Sequence, residues 1–262
     1  MTFVSFAQNF EDVLLWRALG EVKRGFYVDV GAQHPSIDSV SRAFSDRGWR
    51  GIHVEPSPQY AALLRAERPG DVVLEAAVGS ARGQVTFHHV PNTGLSTLDG
   101  AAMDGAQSLG FAVEDLVIDM ILLDDVLNGV DGPVHWLKID VEGYEAQALR
   151  GWTGPCRPWV LVVESTLPGE RVETDREWEP DVLAKGYRHV WFDGLNRFYV
   201  HQDHAELAER LALPPNVFDR ATLSGEATSS FSLLLRNRIK ALEEELATLR
   251  SRRVGRATKR PQ

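Results

Sequence analysis

At 262 residues, with 44% hydrophobic and 25% charged side chains, the chain has a globular composition and can bury a sizeable core, which excludes a fibrous or largely disordered protein. The formal net charge of −9 disfavours broad nucleic-acid binding. The single cysteine, Cys156, excludes an internal disulfide and a multi-cysteine zinc site, so a reducing compartment is the default expectation.

The N-terminal segment predicts neither a signal peptide nor a membrane anchor. Its apolar stretch contains Glu11 and Asp12 and is not preceded by a basic segment. No apolar run reaches the length of about 18 residues that a transmembrane helix requires. A cytoplasmic location is therefore expected.

Apolar segments of strand length alternate with helical patterns along the first two thirds of the chain. The segments are rich in Val and Ile, as strands buried on both faces are. The alternation predicts an α/β fold, with a parallel sheet and helices on both faces. Strands are predicted at residues 26–31, 51–56, 72–79, 134–143 and 158–166, and helices at residues 39–48, 58–70, 144–152 and 177–187.

Two further regions complete the predicted sheet. The stretch "VTFHHV" indicates a short strand, and "DLVIDMILLDDVLNG" indicates a strand followed by a short helix. In "RHVWFDGLNRFYVHQ", residues 188–202, two strand-like runs flank Asp193-Gly194-Leu195-Asn196. This pattern predicts a hairpin, which places an antiparallel strand at the sheet edge.

The C-terminal part divides from a domain spanning residues 1–222. Residues 229–253 are predicted as a helix whose apolar positions are spaced 4, 3, 4, 3, typical of a coiled-coil seam, so a homodimer through this helix is one expectation. The alternative is an amphipathic helix packed on its own domain. Residues 254–262 are predicted as a basic disordered tail, with peripheral contact to an anionic membrane as the other reading. The seam residues are Leu235, Ile239, Leu242, Leu246 and Leu249.

Acidic residues occur at or near the carboxyl ends of four predicted strands. In an open parallel sheet, ligands bind outside these ends, at the point where the strand order reverses. Glu55 ends the second predicted strand, where a carboxylate can accept hydrogen bonds from both ribose hydroxyls of an adenosine and would repel a 2′-phosphate. The other acids at these ends are Asp29, Asp140 with Glu142, and Glu164.

The turn after the first strand lacks the glycines of a dinucleotide-binding loop. Gly31 is followed by Ala32, Gln33, His34 and Pro35, so a pyrophosphate cannot approach the backbone closely. This disfavours a nicotinamide-dependent oxidoreductase. A ligand with adenosine at one end and an amino acid at the other, such as S-adenosylmethionine, fits better.

Several motifs, in order along residues 5 to 220, resemble the FkbM family of S-adenosylmethionine-dependent methyltransferases. The resemblance implies a Rossmann-like, seven-stranded methyltransferase sheet and, in most members, O-methylation of a hydroxyl of a sugar or another group on a glycan, glycolipid or natural product. The motifs are "FYVDVGAQHPSIDSVSRAF", "GWRGIHVEPSPQY", "GLSTLD", "LKIDVEGYEAQALRG", "VLVVEST", "GYRHVWFDGLNRFYV" and "PPNVFD".

The resemblance also implies roles for individual residues. Asp29 and Gly31, followed by Ala32, would line the methionine part of the cofactor, Glu55 the ribose and Ala77 the adenine edge. The family turn usually continues Asn-x-Gly after Gly-Ala. This chain has Gln33-His34-Pro35 instead, and this departure from the family turn brings His34 near the expected sulfonium.

Methyl transfer to a sugar hydroxyl requires alignment of the acceptor and removal of its proton. Asp140 is the first candidate for the base, or for an anchor of acceptor and cofactor, and Glu142 is the second, because an extended strand points both to one face with Lys138. His34 is the alternative base, since imidazole titrates near neutrality. The structural alternative is that these acids pair with Lys138 or cap the helix near Tyr144.

Glu164 is the candidate for binding acceptor hydroxyls. Together with Asp140 it could hold magnesium or calcium through oxygen ligands, although a metal is not favoured. Residues 91–110 and 166–178 are polar and are predicted to close over the acceptor. Four aromatic side chains offer faces for a sugar ring, although such positions are more often core: Trp136, Trp191, Phe192 and Tyr199.

The predicted function is therefore O-methylation of a small-molecule or glycan acceptor with S-adenosylmethionine as the cofactor. N-methylation stays open, because acceptor choice depends on the loops. The alternative from another class is a catalytically silent scaffold that keeps the fold and self-associates through the C-terminal helix.

Overall fold

The structure, a computed structural model, describes residues 2–91, 96–98, 103, 110–167 and 171–257, the last seven of these for the backbone only. The strands are β1 (Phe3–Ser5), β2 (Phe26–Val30), β3 (Arg50–Val54), β4 (Val72–Leu74), β5 (Ala77–Gly79), β6 (Gly83–His89), β7 (Glu114–Leu122), β8 (Trp136–Ile139), β9 (Val160–Glu164), β10 (Tyr187–Phe192), β11 (Asn196–His201) and β12 (Ala221–Leu223). The α-helices are α1 (Glu11–Leu19), α2 (Arg42–Ser45), α3 (Pro58–Glu67), α4 (Leu123–Leu127), α5 (Glu145–Arg150), α6 (Glu179–Ala184), α7 (Ala208–Leu211) and α8 (Leu233–Ala257).

The main sheet has seven strands in the order β10-β11-β9-β8-β2-β3-β4. Strands β4, β3, β2, β8 and β9 run parallel to one another, and β11 runs antiparallel to both β9 and β10. This confirms the predicted α/β class, the Rossmann-like seven-stranded sheet and the edge hairpin. Because the chain proceeds from β2 toward β3 on one side and returns through β8 on the other, the strand order reverses between β2 and β8.

Alternate residues of the central strands pack into cores on the two sheet faces. On β2, Val28 and Val30 belong to one core, whereas Tyr27 belongs to the other and stacks on Trp136 with ring centroids 4.8 Å apart. Both rings are fully buried, as are the side chains of Val28 and Val30. Burial on both faces explains why these strands are continuous apolar runs in the sequence.

The prediction of one strand over residues 72–79 is wrong. The chain leaves the main sheet after Leu74, and Ala77–Gly79 pairs instead with β7 in a separate three-stranded sheet, of order β5-β7-β6. The exposed Glu75 marks the change. An apolar run gives no signal of where the chain passes from one sheet to the next, so hydrophobic pattern alone joins the two strands.

The prediction of a strand over residues 134–143 is also too long. Strand β8 ends at Ile139, and Glu142 and Gly143 both have left-handed backbone conformations, with φ of 53° and 95°. A left-handed residue breaks the alternation of an extended strand. Asp140 and Glu142 therefore do not share a face through strand periodicity.

Two other differences concern the region around the first helices. Only Arg42–Ser45 of the helix predicted at residues 39–48 is α-helical, between left-handed residues at Asp38 and Gly48. The short strands β1 and β12, which the sequence pattern does not predict, pair in parallel and tie the N-terminus to residues 221–223. The domain boundary expected at residue 222 thus falls inside β12.

The C-terminal helix, predicted at residues 229–253, spans Leu233–Ala257. Residues 254–257 of the predicted basic tail are helical, and residues 258–262 lie outside the described residues. Within the described part of the chain, no helix combines the length and apolar character needed to cross a membrane.

Candidate active site

A cleft of about 710 Å³, open to solvent at its mouth, lies at the carboxyl ends of β2, β3 and β8. This is where the strand order reverses, the expected ligand position in an open α/β sheet. Five of the predicted site residues line it: Gly31, Glu55, Ala77, Asp140 and Glu142.

Glu55 is fixed at one end of the cleft by backbone amides. Its carboxylate accepts hydrogen bonds from the N–H of Gln33 at 2.7 Å and from the N–H of Ser57 at 2.8 Å, one on each oxygen. Burial raises the pKa of Glu55 to about 7, although these two N–H groups favour the charged form. Each carboxylate oxygen keeps a further lone pair, so Glu55 can accept two more hydrogen bonds from a ligand.

The wall beside Glu55 is apolar and comes from three parts of the fold. The second sheet contributes Ala77, Val78 and Phe87, and the cleft is closed on this side by Leu98 and Val141. Ala77, Val78 and Phe87 are each at most 5% exposed. A polar end at Glu55 next to an apolar wall suits a nucleoside, whose ribose is polar and whose base has large apolar faces.

Gly31 joins the turn after β2 to the end of β8. It has a φ of 79°, its N–H donates to the Val54 carbonyl at 2.9 Å, and a Cβ placed on it would overlap the carbonyl oxygen of Asp140. The N–H of Asp140 in turn donates to the Val30 carbonyl at 3.0 Å. Only glycine permits both this φ and this approach, so the turn after β2 and the residue after β8 are held in direct contact.

Asp140 is held by a cation and by a second carboxyl group. The Lys138 Nζ atom lies 2.5 Å from Asp140 Oδ2, and the protonated carboxyl of Glu164 donates a second hydrogen bond to Asp140. Burial raises the pKa of Asp140, but the Lys138 ammonium and these hydrogen bonds outweigh burial, so the pKa lies below its ordinary value. Asp140 is therefore ionised at neutral pH, with its side chain 26% exposed to the cleft.

The Lys138 ammonium is the centre of a larger buried cluster of acids. Burial lowers the pKa of Lys138, but Asp140, Asp29 and Glu11 together raise it above its ordinary value. Burial and then the charge of Asp140 raise the pKa of Glu164 well above its ordinary value, so Glu164 is the neutral partner. The Oε2 atom of Glu164 is buried and has no hydrogen-bond partner among the described residues.

Glu142 lies in the cleft but is held differently from Asp140. Burial, then Asp140 and Glu145, raise the pKa of Glu142 well above its ordinary value. It does not cap the next helix, because Glu145 Oε1 accepts from the N–H groups of Val141 at 3.0 Å and Gly143 at 3.2 Å. Burial therefore disfavours the charged form of Glu142, which makes it a weaker candidate for the ionised group of the cleft than Asp140.

Four predicted site residues do not line the cleft: Asp29, Ala32, His34 and Glu164. Asp29 is 2% exposed on β2, opposite His53 on β3 and Lys138 on β8. His34 accepts the N–H groups of Ser36 and Ile37 on Nδ1, at 3.0 and 2.9 Å, so its neutral ring carries the proton on Nε2. Burial lowers the pKa of His34. This geometry gives His34 the role of closing the turn and argues against it as the base.

A family model described as the methyltransferase FkbM domain matches residues 29–189. The chain belongs to the FkbM methyltransferase family. This confirms the resemblance drawn from the motifs, and the match contains the cleft residues from Gly31 to Glu142.

Solved structures with similar folds include two methyltransferases. A TehB-like SAM-dependent methyltransferase from Corynebacterium glutamicum is 8% identical, with a TM-score of 0.39 over 72% of this chain and 88% of that one. An O-methyltransferase from Bacillus cereus in complex with SAH is 13% identical, with a TM-score of 0.35 over 72% of this chain and 78% of that one. No curated protein matches the chain.

Sequence reasoning missed three residues of the FkbM cleft that come from outside the strand ends. Gln33 has a left-handed φ of 50° and bonds through its side chain to the Tyr60 hydroxyl from α3. Thr97 donates its hydroxyl to the Glu142 carbonyl at 3.0 Å. The proline in "HPSID" signals a turn, but no pattern in the sequence shows that helix α3 and residues 96–98 turn toward the same cleft. Ser96, Thr97 and Leu98 are the only described part of the predicted loop 91–110 that lines it.

A second, more open groove of about 1130 Å³ lies beside the turn of the edge hairpin, beyond the carboxyl end of β9. Its lining includes Thr166, two residues after Glu164, together with Asn9 and the turn of the edge hairpin. Phe192 lines it, with the Arg197 guanidinium 4.9 Å from the ring centroid. The polar lining residues are Gln8, Asn9, Thr166, Arg171, Glu173, Asp193, Thr228 and Ser229.

The other aromatic candidates are core residues: Trp136 and Tyr199 are fully buried, and Trp191 packs against the core. Among the described residues, no group of three or more His, Cys, Asp or Glu side chains is arranged to hold a metal ion. Asp140 and Glu164, the pair considered for a divalent ion, share a hydrogen bond instead.

Proposed function

We propose that the chain binds S-adenosylmethionine in the cleft and transfers its methyl group to a hydroxyl of a sugar on a glycan, glycolipid or natural product. The observation that carries the proposal is the combination of two carboxylates in one cleft. Glu55 is oriented by backbone amides at one end, and Asp140 is kept ionised by Lys138 at the other. FkbM family membership supports the reaction class.

The cofactor fits the chain's own residues. Glu55 binds the ribose hydroxyls through its remaining lone pairs, and the apolar wall with Ala77 takes the adenine. Gly31 and Asp140 lie at the end left for the methionine part. The Gln33 N–H, which could otherwise meet a phosphate, is already donated to Glu55, and this supports a cofactor without a diphosphate.

Asp140 acts on the acceptor hydroxyl. S-adenosylmethionine supplies an electrophilic methyl group when it is bound. The attacking hydroxyl becomes strongly acidic as the new C–O bond forms, so an ionised carboxylate of low pKa is sufficient to take the proton. Lys138 holds Asp140 in this charge state.

The acceptor enters from the second groove, so that its attacking hydroxyl meets the methyl group directly and Asp140 lies beside that hydroxyl to take its proton. Amides and hydroxyls from Asn9 and Thr166 can bind sugar hydroxyls, and the unpartnered Oε2 of Glu164 can accept one more. Phe192 offers a ring for a sugar face. Residues 166–178 are proposed to close over the acceptor, and unchanged hydrogen exchange there on adding cofactor and acceptor would contradict the closure.

The cofactor assignment is tested by isothermal titration with S-adenosylhomocysteine. Removal of charge-assisted hydrogen bonds costs about 1.5 to 3 kcal/mol, so Glu55→Ala is expected to weaken binding at least about tenfold. Glu75→Ala is the matched control, because Glu75 is an exposed acid at the end of β4. NAD is expected not to bind. Binding of NAD instead would favour an oxidoreductase, and binding of neither ligand would favour the scaffold.

The base is tested by radiolabelled methyl transfer to a panel of methyl glycosides and glycolipids. Loss of a general base typically costs 10²- to 10⁴-fold in rate, and Asp140→Asn should show a loss of this size in kcat with a smaller change in S-adenosylhomocysteine affinity. His34→Gln keeps a polar side chain at the turn. It is therefore expected to change kcat far less than Asp140→Asn does. Equal losses in Asp140→Asn and His34→Gln would reassign the base.

The catalytically silent scaffold is the second candidate, and the intact carboxylates of the cleft disfavour it. A cytoplasmic location and contact of the basic tail with a membrane stay predictions.

A further inference from the structure

The C-terminal helix presents an apolar stripe that its own domain does not cover. Leu235, Ile239, Leu242, Leu246 and Leu249 are each 40 to 52% exposed. Every side chain from Asn237 to Arg250 is exposed. The alternative of an amphipathic helix packed along its own domain is therefore not what the fold shows.

Only the start of the helix is attached to the domain. The rings of Phe10 and Phe231 lie 5.1 Å apart, Arg236 Nη2 donates to the Thr228 carbonyl at 2.9 Å, and Ile239 reaches the turn at Gly225. Beyond Ile239 the described side chains face solvent. At 1.5 Å per residue, the 25-residue helix is about 37 Å long, so most of its length projects from the domain.

We infer that this stripe pairs with the same helix of a second copy, in parallel and in register. In heptad notation, Ile239 and Leu246 occupy a positions, and Leu235, Leu242 and Leu249 occupy d positions. Ile at a with Leu at d favours two-stranded parallel pairing, although Leu246 at the second a position departs from that pattern. The inference does not depend on methyl transfer.

The charges beside the stripe agree with the parallel, in-register pair. In a parallel pair, a g residue faces the e residue five positions later on the other helix. Arg238 then faces Glu243, and Glu245 faces Arg250. Symmetry doubles these contacts, which gives four attractive pairs, and such e and g pairs set partner choice and orientation.

Each antiparallel register that places a opposite d matches at most four of the five apolar positions, against five in the parallel pair, and one of these registers brings like charges together. When Leu242 opposes Leu246 and Ile239 opposes Leu249, Leu235 has no apolar partner, and e residues approach e residues and g residues approach g residues. Glu245 would face its own copy, Glu243 would face its own copy, and Arg236 would face Arg250. Like charges at such positions disfavour the pairing.

The first experiment measures the mass of the full chain by sedimentation equilibrium over a range of concentrations. A reversible dimer of twice the 29.2 kDa chain mass is expected. Leu242→Glu should leave a monomer with unchanged S-adenosylhomocysteine binding and helix content. Glu244→Ala, on the outer face of the helix, should dimerise as the unchanged chain does. A monomer at all concentrations, or a dimer that survives Leu242→Glu, overturns the inference.

The second experiment tests orientation. In a Cys156→Ser background, Leu249→Cys should oxidise to a disulfide-linked dimer, because residue 249 meets its own copy only in the parallel register. Glu245→Arg should weaken the dimer at least tenfold, and adding Arg250→Glu should restore it. A linked dimer that requires both Ile239→Cys and Leu249→Cys shows an antiparallel pair and rejects the assignment.

Discussion

The two carboxylates of the cleft are stabilised in opposite ways. Glu55 depends on backbone N–H groups of its own and the neighbouring turn, with no cation in contact among the residues that the structure describes, and its pKa rises to about 7. Asp140 depends on side chains, Lys138 and Glu164, and its pKa falls below the ordinary value. The first arrangement orients a hydrogen-bond acceptor, whereas the second maintains a charge. The comparison teaches that one sheet edge can hold two carboxyl groups in opposite electrostatic surroundings.

The largest expected effect comes from breaking the contact between these two regions. Gly31→Ala places a Cβ against the Asp140 carbonyl at a φ of 79°, so a loss above about 4 kcal/mol in unfolding free energy is expected. Gly48→Ala is the matched control, because Gly48 has a φ of 83° with no atom within 4 Å of the added Cβ. It should cost only the backbone strain, about 1 to 2 kcal/mol.

Urea denaturation of both variants measures the difference. Where Gly31→Ala yields no folded protein, the recovery of soluble Gly48→Ala serves as the comparison. Equal costs at the two positions would show that the junction is not tight.

The next effect concerns the cation that distinguishes the Asp140 region. Lys138→Met leaves Asp140 and its neighbouring acids without their ammonium, and removal of one partner of a buried pair costs about 3 to 5 kcal/mol. Lys23→Met, at an exposed lysine, should change stability by less than about 0.5 kcal/mol. A small loss of unfolding free energy in Lys138→Met would mean that one of the neighbouring acids takes up a proton in place of the missing ammonium charge.

Only part of the difference between the surroundings of Glu55 and of Asp140 can be predicted from the sequence. The position of Glu55 and the strand end at Gly31 could be predicted, because buried parallel strands are continuous apolar runs and the turn follows directly. The Lys138 clamp on Asp140 was considered only as an alternative, since pairing in an acid-rich cluster depends on tertiary burial. The break between Leu74 and Ala77 and the left-handed Glu142 carry no periodic signal at all.

The smallest expected effect is a dependence of the unfolding free energy on pH, to which the acids around Lys138 and Glu55 contribute over different pH ranges. Burial, then Asp193, raises the pKa of Glu11 to about 8 from an ordinary 4.5, so the folded state binds more protons than the unfolded state between these values. Stability from this group is present below about pH 4.5 and is lost as the pH rises through 8. Glu55, with a pKa of about 7, acts in the same direction over a narrower window.

Urea denaturation between pH 5 and 8 should show a fall of about 1 to 3 kcal/mol in the unfolding free energy. One unit of pKa difference corresponds to about 1.4 kcal/mol, and solvent screening reduces the total. Glu11→Gln should flatten this slope, while Glu21→Gln, at an acid 81% exposed, should not. Asp140 has a lowered pKa, so its contribution to the unfolding free energy is present at neutral pH and is lost only at acid pH. A slope that is unchanged in Glu11→Gln would remove the acid cluster as its source.

The Gly31 junction also limits what mutation can do to this enzyme. Every amino acid other than glycine carries a Cβ, and at this position that single carbon meets a main-chain oxygen rather than a movable side chain. No change elsewhere in a side chain can make room for it. Substitutions in the groove around Phe192 leave this junction untouched, but every variant that keeps this backbone arrangement must keep glycine at position 31.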